Sequence, residues 1–134
     1  MKYLVLLLGL DQITKYFARS LQEPVDIFPG LVFKFAENSG VAFSWPVPHW
    51  ILIPVILLVI LFLSHQLRTK KLKKLEQVSY ILILSGAIGN LIDRVIYTKV
   101  TDFISVGSFP IFNVADMCIS AGVAVLLYQE LRKT

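Results

Sequence analysis

The stretch Trp50–Leu67, WILIPVILLVILFLSHQL, indicates a membrane-spanning helix, because its 18 residues include no Asp, Glu, Lys or Arg. As an α-helix it is about 27 Å long, close to the roughly 30 Å thickness of the hydrocarbon core of a bilayer. The 134-residue chain has the length of one domain, and 56% of its residues are hydrophobic while only 16% are charged. A water-soluble domain of this size has too little interior to hide that much apolar surface. The sequence therefore predicts a single domain, residues 1–134, that is embedded in a membrane.

The positive charge of the chain is concentrated in one short run between two apolar segments. The formal net charge is +4. Five cations make up the run: Arg68, Lys70, Lys71, Lys73 and Lys74. Lys and Arg are enriched in the cytoplasmic loops of membrane proteins, so this run is typical of such a loop. We therefore expect the charge to mark the orientation in the membrane, and we expect no nucleic-acid partner.

Four segments are predicted to span the membrane, at roughly residues 2–19, 50–67, 77–94 and 113–128. Lys2, the run from Arg68 to Lys74, and Arg132 with Lys133 then mark the cytoplasmic side. Two segments, residues 20–49 and 95–112, remain outside, and they hold few cations. The predicted fold class is a membrane all-α protein with four transmembrane helices and both termini in the cytoplasm.

The first outside segment has the pattern of a small antiparallel β-sheet. Phe33 and Phe35 flank Lys34 with the two-residue period of a strand. Residues 37–40, ENSG, favour a turn, and Val41–Phe43 resumes an apolar run. Three further residues are expected at the membrane interface: Trp45, His49 and Trp50. We expect the sheet to lie on the outer membrane surface.

Polar side chains inside predicted spans are costly, so each needs an explanation. Asp11 and Lys15 are four residues apart on the first helix, which predicts a buried ion pair. Asn90, Asp93 and Arg94 share one face near the outer end of the third helix. The simplest interpretation of Asp93 and Arg94 is a second structural pair.

Three acids are predicted to meet at the outer edge of the membrane. Asp93 ends the third helix, Asp116 lies in the first turn of the fourth, and Asp102 lies in the segment 95–112 between them. Taken singly, Asn113 and Asp116 suit a helix N-terminus, and Asp102 suits a turn. Two neighbouring carboxyl groups in a poorly solvated site share one proton, so one can activate water while the other protonates a carbonyl oxygen. This arrangement favours peptide hydrolysis, but the residues alone do not say which two acids form the pair.

Other function classes fit the sequence less well. His49 and His65 fall on opposite sides of the membrane, and the single cysteine, Cys118, lies in an apolar stretch, so we predict no metal or organic cofactor. A small proton-coupled transporter is the main alternative, because it also needs acids inside the membrane. A transporter, however, holds its site at the midplane. A purely structural or assembly subunit has no need of three acids at one edge.

Five sequence motifs carry a resemblance to a known family. In chain order they are Asp11–Lys15 (DQITK), Asn38–Phe43 (NSGVAF), Gly89–Arg94 (GNLIDR), Val100–Phe103 (VTDF) and Phe112–Asp116 (FNVAD). Together they resemble the signature motifs of the bacterial lipoprotein signal peptidases, or signal peptidase II. The resemblance extends over nearly the whole chain and includes the order of the motifs and the four-span layout.

The resemblance implies an activity and a role for each motif residue. The expected enzyme is an intramembrane aspartic endopeptidase that removes the signal peptide from diacylglyceryl-modified prolipoproteins, cutting before the lipidated cysteine. Asp102 and Asp116 are the implied catalytic dyad, and Asp11 and Lys15 are implied to be structural. The implied supporting residues are Asn38, Asn90, Asp93, Arg94 and Asn113.

The resemblance also implies where the enzyme acts and what it contacts. It is expected in the bacterial inner membrane, as a monomer among membrane lipids, with its active site near the periplasmic face. The outside sheet is implied to be a substrate cradle, and the segment 95–112 is implied to include a mobile part. We expect Phe33, Phe35 and Phe43 to hold the peptide, with Asn38 offering its amide to the peptide backbone.

Overall fold

The computed structural model describes residues 2–40 and 47–132. These residues form four helices and one three-stranded sheet. The helices are α1 (Lys2–Arg19), α2 (His49–Thr69), α3 (Lys74–Tyr97) and α4 (Val114–Leu131). The strands are β1 (Val25–Phe28), β2 (Leu31–Asn38) and β3 (Val100–Val106).

Three of the described helices, α2, α3 and α4, are long and apolar enough to cross a membrane. Helix α1 is as long as α4, with 18 residues, but it is not among these three. It carries four charged residues: Lys2, Asp11, Lys15 and Arg19. Length and composition thus establish three candidate spans, one fewer than the sequence predicted.

Helix α3 packs against each of the other three helices. Its seam with α4 depends on small residues that let the two backbones approach. A Cβ atom on Gly86 would collide with the carbonyl oxygen of Ala115, and one on Gly122 would lie 2.8 Å from the carbonyl oxygen of Ser79. This close approach fixes the outer end of α3 relative to the start of α4.

The sheet is antiparallel with the order β1-β2-β3, so the prediction of a small antiparallel sheet is confirmed. The predicted turn at Glu37 and Asn38 is wrong, because both residues belong to β2 and pair with Thr101 and Val100 of β3. The turn comes later, where the Asn38 side chain accepts a hydrogen bond from the Gly40 backbone. The predicted apolar run Val41–Phe43 and the interfacial Trp45 lie outside the described residues.

Strand β3 comes from the second outside segment, which was not predicted to hold a strand although the β-branched and aromatic residues of VTDFISV favour one. Asp102 therefore lies in a strand, opposite Ala36, and not in the turn that its residue type suggested. Phe103 packs edge-on against Phe33, with ring centroids 6.0 Å apart. Strand pairing, a long-range interaction, thus places Asp102 above the helix ends.

Candidate active site

Asp102 and Asp116 face one cavity of about 740 Å³ near the junction of β3, α3 and α4. Asp102 is carried by β3, and Asp116 occupies the first turn of α4. Three other polar side chains from the predicted set also line the cavity: Asn38, Asn90 and Arg94. The structure thus brings two of the three predicted acids together on a shared surface.

Asn113 connects the two acids. It is the N-cap of α4, as predicted, and forms a capping box in which its side-chain oxygen accepts from the Asp116 backbone N–H at 2.9 Å. The Asp116 carboxylate in turn accepts from the Asn113 backbone N–H at 3.2 Å. The Asn113 side-chain amide donates to Asp102 at 2.7 Å. A single buried residue therefore orients both carboxyl groups.

Asn90 holds Asp116 from the side of α3. Its amide nitrogen donates to Asp116 at 2.8 Å, while its amide oxygen accepts from the Lys15 ammonium at 3.0 Å. An ammonium group has no acceptor, so Lys15 can only face the oxygen of that amide. This bond sets which way the Asn90 amide points and leaves its nitrogen directed at Asp116.

Behind the cavity lies a buried ion cluster built around Lys15, which is fully buried. Its ammonium is 3.0 Å from Asp11, so the predicted i, i+4 pair is confirmed, and 3.3 Å from Asp93. Asp11 also accepts from the backbone N–H of Ala115 at 2.8 Å. The cluster therefore ties α1 to both α3 and α4, and Asp93 belongs to it.

The predicted ion pair between Asp93 and Arg94 is wrong. Asp93 is paired with Lys15 and with Arg19, the latter at 2.9 Å. Consecutive residues of a helix point in different directions, so neighbours in sequence do not face each other. Arg94 instead donates to the carbonyl oxygens of Gly40 at 2.9 Å and Asn90 at 3.3 Å, and lies at the cavity.

Arg19 is a network residue that our sequence reasoning missed. It lies in the last turn of α1 and bonds Asp93 and the hydroxyl of Thr101, both at 2.9 Å. A sequence signal existed, because Asp11, Lys15 and Arg19 follow one another at four-residue spacing and so share a helix face. The prediction of an ion pair covers only the first two of these residues.

Asp102 is placed in an environment that favours its protonated form. Only 3% of its surface is exposed. Burial, followed by the charge of Asp116, raises the pKa of Asp102 to about 6, although bonds from Asn113 and Asn38 and the charge of Lys15 act the other way. A carboxyl group whose pKa is raised toward neutral pH, beside a second carboxyl group, can hold the proton that acid–base chemistry needs.

The rest of the cavity wall is mainly apolar and comes from three helices, one loop and Val100 of β3. The loop is the segment 109–112, which returns from β3 to α4. The predicted cradle residues Phe33 and Phe35 are not among the described residues of the wall: Phe33 packs on Phe103, and Phe35 is 41% exposed. Within residues 2–40 and 47–132, no group of three or more His, Cys, Asp or Glu side chains is arranged to hold a metal ion.

Comparison with known proteins places this chain in a family. The family model described as signal peptidase (SPase) II matches residues 3–132. The lipoprotein signal peptidase of Bartonella tribocorum is 40% identical, and the alignment covers 96% of this chain and 84% of that protein. The lipoprotein signal peptidase of Listeria welshimeri is 39% identical, with 98% of this chain and 96% of that protein covered.

A solved structure agrees with these matches. It is described as a bacterial membrane enzyme determined by the in meso method at 2.3 Å resolution. It superposes with a TM-score of 0.89 at 27% sequence identity, over 96% of this chain and 85% of that one. On the family match and the two relatives, this chain belongs to the signal peptidase II family, the lipoprotein signal peptidases.

Proposed function

We propose that this protein is the aspartic endopeptidase that removes signal peptides from bacterial prolipoproteins, and that Asp102 and Asp116 perform the hydrolysis. The observation that carries the proposal is that both carboxyl groups face one cavity and each receives a bond from an asparagine amide. Such amides orient the acids without donating a charge of their own. Asn38, Asn90, Asn113 and Arg94 are then the supporting residues.

The surroundings of the two acids suggest how the roles divide. Asp116 accepts bonds from the Asn90 amide and the Asn113 backbone, and it lies at a helix N-terminus, where negative charge is stabilised. We assign it the ionised form, which removes a proton from the attacking water. Asp102, whose pKa is raised to about 6, carries the proton and donates it to the peptide carbonyl oxygen.

The apolar part of the cavity suits a lipid-bearing substrate. It extends along α2 through Leu52, Val55 and Val59 and faces Ile83 and Ile119 of the neighbouring helices. We propose that the acyl chains of the diacylglyceryl group are seated here, since each buried CH₂ contributes about 0.8 kcal/mol. The peptide then needs to present only a short segment to the two acids, beneath the loop 109–112.

We propose that α1 is a fourth membrane span and that both termini are cytoplasmic. Two of its charged side chains, Asp11 and Lys15, are buried against α3 and α4 and do not face lipid. Its outward surface is apolar, formed by exposed residues that include Val5, Leu6 and Ile13. The active site then lies near the outer face of the inner membrane, at the end opposite the basic loop.

Labelling in spheroplasts tests this orientation in a Cys118→Ser background. A membrane-impermeant maleimide should modify Glu23→Cys directly and Lys70→Cys only after the cells are made permeable, because the two exposed positions lie at opposite ends of the helices. The reverse pattern would overturn the orientation. We also propose that the enzyme acts as a monomer, because one chain supplies both acids and the asparagine amides that orient them.

Cleavage of a purified lipidated precursor tests the function. The unmodified protein should cut before the lipidated cysteine, and Asp102→Asn and Asp116→Asn should each lower turnover by at least about 100-fold, since each removes a proton-transfer group. Asp26→Asn, an exposed acid on β1, is the matched control and should leave turnover unchanged. Near-normal activity in either active-site variant would remove that residue from the pair.

The alternative of a proton-coupled transporter is not supported. The family to which the chain belongs is a peptidase family. The two acids also lie at one end of the helices, with Asp116 in the first turn of α4, whereas a transporter holds its substrate near the midplane.

A further inference from the structure

Arg19 lies outside the catalytic cavity and outside the five motifs, yet it joins three elements. From the end of α1 its Nη2 donates to Asp93 on α3, and its Nε donates to the hydroxyl of Thr101 on β3, both at 2.9 Å. Its guanidinium lies 4.0 Å from the centre of the Tyr97 ring. Two directional bonds and a stacked ring fix a planar group in position and orientation.

Thr101, the residue before Asp102, is held at all of its polar groups. Its hydroxyl accepts from Arg19, its backbone N–H donates to Asp93 at 2.9 Å, and its carbonyl oxygen accepts from Asn113 at 3.2 Å. Only 4% of Thr101 is exposed. The backbone at this point cannot shift without breaking several buried bonds. The position of the Asp102 carboxyl group is therefore set in part by Thr101.

Arg19 also balances the charge of the buried ion cluster. Asp11 and Asp93 supply two negative charges, and Lys15 and Arg19 supply two positive ones, so the cluster is neutral as a whole. Without Arg19, one negative charge in the cluster has no partner within it.

We propose that Arg19 is a positioning residue for catalysis: it fixes Thr101 and, through Thr101, the carboxyl group of Asp102. This inference rests on the proposed peptidase function. A displacement of about 1 Å at a reacting group can cost about 100-fold in rate. Loss of Arg19 should therefore lower kcat about 10- to 100-fold, whereas KM should change by less than about threefold because the substrate cavity is not formed by Arg19.

The test measures kcat and KM for a lipidated precursor, together with thermal unfolding, for four variants. Arg19→Gln and Thr101→Val should both lower kcat. The double variant should be no slower than the slower single variant, because both changes break one shared contact. The kcat of Arg19→Lys should lie between those of the unmodified protein and Arg19→Gln. An ammonium keeps the charge near Asp93, but it cannot reproduce the planar group that bonds both Asp93 and Thr101.

Lys99→Gln is the matched control for Arg19→Gln. Lys99 is also a cation close to the start of β3, but it is 46% exposed and pairs with Glu37 at the surface. Its replacement should leave kcat and KM near those of the unmodified protein. A fall in kcat equal to that of Arg19→Gln would mean that the effect is a general loss of positive charge, and the positioning role would be overturned.

Three further results would overturn the inference: an unchanged kcat in folded Arg19→Gln, a change confined to KM, or effects of Arg19→Gln and Thr101→Val that multiply in the double variant. If Arg19→Gln does not fold, the proposal is tested with Arg19→Lys and Thr101→Val. A kcat of Thr101→Val equal to that of the unmodified protein would then reject the proposal. The unmodified protein is assayed first. Its inactivity would overturn the proposed function itself, whereas an active protein with unaffected Arg19 variants would overturn this inference alone.

Discussion

Replacing Asp102 with Asn should make the folded protein more stable at pH 8 while removing its activity. In the folded state burial and the charge of Asp116 raise the pKa of Asp102 from its usual 3.8 to about 6. The fold therefore disfavours the ionised form of this side chain, the form that predominates at pH 8. An asparagine is neutral at every pH, and its oxygen can still accept the bond from Asn113.

The magnitude follows from the size of the pKa shift. Each pKa unit corresponds to about 1.4 kcal/mol, so a rise from 3.8 to about 6 amounts to about 3 kcal/mol. Below pH 3.8 Asp102 is protonated in the folded and unfolded states, and the penalty is absent. Between pH 3.8 and 6 the unfolded state loses its proton first, so stability falls as pH rises. Above about pH 6 the full penalty applies.

The assay is thermal unfolding in one detergent at a series of pH values from 4 to 8. The gain in stability of Asp102→Asn over the unmodified protein should be small at pH 4, grow through pH 6 and then level off. Asp26→Asn, which changes an exposed acid of the same sheet, should show no such growth. A stability difference that is equal at pH 4 and pH 8, or an Asn variant that is less stable at pH 8, would show that the fold does not disfavour the ionised form of Asp102.

Three other predictions concern packing, the ion cluster and the substrate. Gly89→Ala should lower stability by about 1–3 kcal/mol in thermal unfolding, because its Cβ would lie 2.5 Å from the Asp11 carboxylate and break a buried bond. The control Gly9→Ala, whose Cβ would have nothing within 4 Å, should not be destabilising. Lys15→Met should cost about 3–5 kcal/mol, because it leaves the buried Asp11 without a cationic partner while Asp93 keeps Arg19. Adding Asp11→Asn should recover part of that loss, and a double variant no more stable than the single would argue against the pairing. A precursor without its diacylglyceryl group should show a much lower kcat/KM than the matched lipidated one in the same micelles, and equal values would reject lipid seating in the cavity.

Features that depend on near neighbours in the chain could be predicted from the sequence. The apolar stretch Trp50–Leu67 indicated a membrane helix, the four-residue spacing of Asp11 and Lys15 gave their ion pair, and Asn113 gave the N-cap of α4. Each rests on helix geometry, which repeats at a fixed spacing and can be read along the chain. The motifs also indicated the family, which the comparisons confirmed.

The partners that these side chains take across the molecule could not be predicted in the same way, because they depend on the packing of elements distant in sequence. Asp93 pairs with Arg19, which is 74 positions away in sequence, and not with its neighbour Arg94. Asp102 reaches the cavity because β3 pairs with β2; the β-branched and aromatic residues of 100–106 favour a strand, but they do not say which strand it pairs with. Such contacts depend on how closely whole elements pack. Local spacing can place a side chain on a helix face or at a strand position, but a contact forms only when another element brings the matching group to it.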